Sequence, residues 1–151
     1  MAIIKGNDRM GTVRAVCISS QKRGGKHCVG EAVFKEDFGI LNDAHAGSHR
    51  QVSLLAEEAI EKAKAGGADV GFGDFGENIS TGGLTLKNLP VGARIKIGMD
   101  VILEITQIGK VCASKCAIYY KAGDCIMPHE GVFAKVLKGG VVKAGDRMEV
   151  V

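Results

Sequence analysis

Cys112, Cys116, Cys125 and His129 stand close together in this chain, and they are side chains that ligate metals or, for the thiolates, attack as nucleophiles. Read as ligands, Cys112-x3-Cys116 and Cys125-x3-His129 form two pairs whose spacing puts partners on one helical face, and thiolates with imidazole suit tetrahedral zinc. The fit is partial, because Ala113, Ser114 and Lys115 supply no glycine for the tight knuckle that usually holds such a site. Read as a nucleophile, Cys112 is flanked by Lys110 and Lys115, and neighbouring cations favour the reactive thiolate. Free cysteines also fill cores, so a third reading leaves these thiols as packing residues.

A second polar constellation lies upstream. Asp43, His45, His49 and Arg50 fall in NDAHAGSHRQVS, immediately before a stretch of helix formers. Free backbone N–H groups at a helix start, beside Arg50, would make an anion site for a phosphate or carboxylate. Asp43 and His45 are also a possible metal pair, and the plainer reading is a capped helix behind a solvated loop. Farther on, FGENI sets Glu77 and Asn78 between apolar anchors, offering an acid or base and a ligand-holding amide, or simply a turn. No GxxxxGK[ST] or GxGxxG phosphate loop is present.

The elements that must position these residues are mainly strands. Twenty-two glycines against two prolines punctuate short Val- and Ile-rich runs, the pattern of many strands joined by tight turns. Strands are expected at residues 12–19, 29–35, 132–137 and 148–151. A hairpin is expected from 93–97 and 101–106 around Gly98-Met99-Asp100. Gly139-Gly140 and Gly145-Asp146 read as turns. One helix is expected over residues 54–65 (LLAEEAIEKAKA), with Ser53 as N-cap, Gly66-Gly67 as stop, and Leu55, Ala59 and Ala63 on one face. Its Glu57 and Glu58 lie early and Lys62 and Lys64 late, matching the helix dipole. A second short helix is expected from Ser114, limited by Gly123.

The totals narrow the class. A chain of 151 residues suits a single domain, 1–151, able to bury a core without disulfides. Five cysteines, an odd number, with no apolar leader and no long apolar run, point to a cytoplasmic protein with reduced thiols and no membrane span. A net charge of +3 favours a small anionic ligand. With five Phe, two Tyr and no Trp, the chain lacks the basic and aromatic surface of a nucleic-acid binder.

Taken in order, GILNDAHAG (39–47), RQVSLL (50–55), FGENI (75–79), the cysteine after Ile105-Thr106-Gln107, GVFAKVLKGG (131–140) and the closing Gly145-Asp146 resemble the MOSC domain family, named for the C-terminal domain of molybdenum cofactor sulfurase. The resemblance spans almost the whole chain and looks like a small stand-alone member. It implies a β-barrel-like fold with a few short flanking helices. It also implies a link to the molybdenum cofactor (molybdopterin), either by delivering sulfur to it or by holding it.

On this resemblance the family's functional cysteine falls on Cys112, as sulfur carrier or molybdenum ligand, with Cys116 its rival. A persulfide or a soft metal bond is within a thiolate's chemistry. Lys110 or Lys115 would stabilise the anion, and Arg50, His45 and Asn78 would hold the cofactor's phosphate and pterin. The implied partners are a cysteine desulfurase or a molybdoenzyme, with pyridoxal phosphate involved only indirectly through the desulfurase. The alternatives are a non-enzymatic module that binds cofactor or partner, and a structural zinc domain.

Overall fold

The structure is a computed structural model and describes residues 9–22, 24–109, 126 and 130–151. Eleven strands are present among these residues: β1 (Met10–Ile18), β2 (His27–Val29), β3 (Glu31–Lys35), β4 (Gly39–Ile40), β5 (Val52–Ala56), β6 (Ile79–Gly82), β7 (Arg94–Ile97), β8 (Val101–Ile108), β9 (Val132–Lys138), β10 (Gly140–Lys143) and β11 (Arg147–Val150). The helix α1 (Glu57–Ala65) and a 3-10 turn at Leu86–Asn88 accompany them among the described residues. The mainly β barrel expected from the sequence is therefore the observed fold.

Seven strands close on themselves in the order β1-β6-β5-β9-β8-β7-β11, and β11 returns to β1 through Met10↔Glu149, Gly11↔Met148 and Thr12↔Arg147. Closure leaves no open sheet edge along the ring. All pairings in it are antiparallel except β5 with β6, where α1 lies in the crossover between the two strands. The short β2 pairs with the end of β1, and β10-β3-β4 form a second, three-stranded sheet. Alternation explains the packing. Val13, Val52, Leu54, Ile79, Ile95, Ile97, Leu103 and Ala134 share one buried cluster, which Phe34, Ile40 and Val142 of the small sheet also join.

The hairpin at Gly98-Met99-Asp100 is observed, with Ile97↔Val101 closing it and Gly98 at φ +61°, a conformation that favours glycine. The helix is shorter than expected. Val52–Ala56 is a strand rather than the first turn and cap of a helix, and α1 begins at Glu57 with Ala56 as its N-cap residue. Leu54 and Leu55 are good helix formers, but β6 on one side and β9 on the other supply strand partners, and both residues are fully buried there. Tertiary pairing overrides local propensity.

The amphipathic reading of α1 itself holds. Ile60 is buried, and Ala59 and Ala63 pack on a second cluster of Leu55, Val70, Phe75 and Phe133 outside the barrel wall. The acidic first turn and basic last turn are also in place. Gly140, read as a turn, instead starts β10, whose Val142 is buried against Ala32. The helix expected from Ser114 lies outside the described residues.

Candidate functional site

Lys26 and Asp43 form a buried ion pair at the end of β1. The Lys26 ammonium lies 2.8 Å from Asp43 Oδ1, with 1% and 0% of the two side chains exposed. Local geometry aims the carboxylate inward. Asn42 takes φ +71°, which asparagine tolerates better than most side chains, and the Asp43 N–H then donates to Ile40 O. Ser19 N–H donates to Asp43 Oδ1 and His45 N–H to Oδ2, each at 3.1 Å. Burial alone would raise the Asp43 carboxyl. The His45 contact, the Lys26 hydrogen bond and charge, and the Ser19 N–H outweigh it and hold Asp43 well below the usual carboxylate range.

His45 completes the cluster. Its Nδ1 lies 3.2 Å from Lys26 Nζ and 3.8 Å from Asp43 Oδ2. The side chain is 29% exposed, so this otherwise buried cluster reaches the surface through an imidazole.

Glu77 and Asn78 are fully buried and arranged differently. Glu77 Oε2 accepts from Gly73 N–H and the Ser80 hydroxyl, both at 2.9 Å, and Oε1 accepts from Phe75 N–H at 3.2 Å. Burial pushes its carboxyl up, while these hydrogen bonds pull it back. Asn78 Oδ1 accepts from the Ser53 N–H and hydroxyl, and its Nδ2 donates to Cys17 O at 3.0 Å. The amide therefore joins β5 to β1 from inside the wall. Ser53, expected as a helix cap, is its partner. Gly73 is needed where it stands. It adopts φ +85°, its carbonyl accepts from Lys26 N–H at 2.7 Å, and a Cβ there would run into the Lys26 carbonyl.

Arg50 precedes β5 rather than a helix, so the helix N-terminus expected beside it is absent; the first turn of α1 begins at Glu57. Its guanidinium instead lies 5.6 Å from the centre of the Phe133 ring. Phe133 is on β9, just after the segment that carries the cysteines returns to the barrel, and Gly109 N–H donates to Gly131 O at 2.7 Å across the base of that segment. His49 is exposed. Lys110, Cys112, Lys115, Cys116, Cys125 and His129 lie outside the described residues. Among the described residues no group of three His, Cys, Asp or Glu side chains is arranged to hold a metal ion, and no helix is long and apolar enough to cross a membrane.

Sequence reasoning missed Lys26, Ser53 and Ser80 as members of these clusters. Lys26 ends QKRGGK, which looks like a solvated turn, and its acid lies far along the chain. The alternation of Ser53 and Ser80 with buried Leu54 and Ile79 was the available signal for the other two.

The profile of the MOSC domain matches residues 42–149. Among solved structures, the fold is similar to the YuaD protein of Bacillus subtilis, with a TM-score of 0.78 and 18% identity over 93% of this chain and 95% of that one. YiiM of Geobacillus stearothermophilus gives 0.69 and 18%, covering 94% and 75%. YiiM of Escherichia coli gives 0.64 and 22%, covering 93% and 69%. At these identities the likeness is one of fold. No curated protein matches the chain.

Proposed function

Because the chain belongs to the MOSC domain family, which is linked to molybdenum cofactor sulfurases, we propose that it acts in maturation of the molybdenum cofactor in the cytoplasm, with Cys112 as the working thiol. The observation that carries this reading is the family match across residues 42–149, which spans the Asp43/His45 motif, Glu77-Asn78 and the cysteine segment together. The described strands give that segment a fixed base: it leaves β8 at Gly109 and returns at Gly131, with Arg50 stacked on Phe133 next to the return.

The residues present suit an anionic ligand that carries a phosphate. Lys26 is matched by Asp43, so that pair adds no net charge. Arg50 supplies the cation, and its planar guanidinium can grip a phosphate through two parallel hydrogen bonds. The part-exposed imidazole of His45 adds a polar group at the surface of the cluster. Asn78, whose amide is engaged with Ser53 and Cys17, ties β5 to β1 in the wall that carries them. The cofactor supplies a molybdenum centre on a dithiolene, to which a thiolate is a suitable soft ligand or sulfur donor.

In the sulfur-carrier reading, the Cys112 thiolate attacks the outer sulfur of a persulfide on a cysteine desulfurase. A Cys112 persulfide forms, and the desulfurase cysteine leaves as its thiolate. Incubating the protein with a desulfurase and cysteine, then mapping peptides by mass spectrometry, should add one sulfur atom to the Cys112 peptide and none in Cys112→Ser. A sulfur that remains in Cys112→Ser and maps to Cys116 would move the role there. Stoichiometric zinc lost in Cys125→Ser, with no persulfide on either cysteine, would replace this reading with a structural metal domain.

A further inference from the structure

Cys17 and Cys28 face each other across β1 and β2, with their sulfurs 3.1 Å apart, and we propose that they are a redox-active dithiol that closes reversibly to a disulfide. Cys17 N–H donates to Asn78 O, and Asn78 Nδ2 donates to Cys17 O, so both backbone groups of Cys17 point toward the β6 side, away from β2. Cys17 and Cys28 are therefore a non-hydrogen-bonded antiparallel pair. Such pairs hold their Cα atoms about 4.5 Å apart, within the range of roughly 4.4–6.8 Å that a disulfide spans. The bond needs the two sulfurs to approach by about 1 Å, which side-chain rotation supplies more easily than backbone movement.

Access divides the roles. Cys28 is exposed, with its thiol 3.6 Å from Phe72 O, while Cys17 is buried beneath Gly73. Burial and then the hydrogen bond to Cys28 push the Cys17 thiol up, so Cys28 is the thiol that meets an oxidant and Cys17 the one that resolves.

The oxidant is a small organic disulfide. The Cys28 thiolate attacks one of its sulfurs, forming a mixed disulfide and releasing the first small thiolate. Cys17 loses its proton and attacks Cys28 Sγ, forming the Cys17–Cys28 bond and releasing the second. The protein gives up two electrons and two protons, and the small disulfide becomes two thiols. The bond closes a loop that contains Lys26, so the redox state decides how firmly β2 and the Lys26 loop that leads into it are tied to the barrel.

The test is oxidation of the full chain with oxidised glutathione, followed by non-reducing tryptic mapping. Peptides 15–22 and 27–35 should become linked, the link should disappear after dithiothreitol, and it should be absent in Cys28→Ser. The oxidised protein should also melt higher than the reduced one by roughly 5 °C or more. A stable glutathione adduct on Cys28 that Cys17 leaves unresolved would overturn the proposal, as would Cys28 pairing with Cys112, Cys116 or Cys125. A chain with Cys112, Cys116 and Cys125 changed to serine gives a second reading by thiol titration. Two thiols should fall to none on oxidation and return on reduction; two that persist would refute the pair.

Discussion

Two buried polar clusters meet the end of β1. In one, Lys26, Asp43 and His45 are held largely by one another, and an imidazole edge reaches the surface. In the other, Glu77 and Asn78 are sealed in the wall and take their partners from Gly73, Phe75, Ser53, Ser80 and Cys17, mostly through backbone groups. Both satisfy the rule that buried polar atoms find partners. The difference lies in what each leaves over. A network closed on the backbone fixes the course of the chain, whereas one that pairs side chains and opens at one edge can respond to a ligand.

Breaking the ion pair should have the largest effect. Asp43→Ala leaves a buried ammonium without its acid and should cost about 3–5 kcal/mol in urea unfolding. The double variant Lys26→Met/Asp43→Leu should recover most of that loss, because an apolar pair removes the stranded charge. No recovery would mean that the cost arises from the loop turns around Asp43 rather than from charge.

Asn78→Ala tests the sealed cluster. It orphans the Ser53 N–H and the Cys17 carbonyl and should cost about 2–3 kcal/mol. Unlike the ion pair, it should not be rescued by changing a single partner, since those partners are backbone groups.

Acidity separates the clusters further. Asp43 is held below its ordinary value of 3.8, so its contribution is full above 3.8 and is lost as pH falls through the lowered value. Glu77 is raised from 4.5, so its contribution is full below 4.5 and is lost as pH rises through the raised value. Asp43→Asn should therefore flatten the acid side of a stability-versus-pH curve, while Glu77→Gln should change the side above 4.5. A curve whose acid side is unaltered in Asp43→Asn would remove Asp43 from the account.

The smallest effect belongs to the surface. Arg14 and Glu57 pair at 3.1 Å with much of both side chains exposed, and Arg14→Ala should change stability by about 0–1 kcal/mol. A larger loss would show that contact at the barrel surface matters as much as either buried cluster.

These clusters were unequally legible in the sequence. Strands such as Arg94–Ile97 and Val101–Ile108 announce themselves by alternation and a glycine turn. Val52–Ala56 does not, because its leucines and alanine favour a helix until β6 and β9 supply the pairing. Asp43, His45, Glu77 and Asn78 stood out as polar residues within apolar or turn-rich runs. The burial of Lys26 depends on a contact across the fold, which no local window contains. The facing of Cys17 and Cys28 likewise depends on strand register.

The closure of the ring also governs time. The contact that shuts it joins Met10 to Glu149, nearly the full length of the chain apart, and it can form only when the strands between are in place. Loop-closure entropy makes such distant pairings late and folding slow compared with a helical bundle of equal size. Before closure, β1 and β11 each present an unpaired edge to other chains. The interval in which this protein is most exposed to aggregation is therefore the last step of its own assembly.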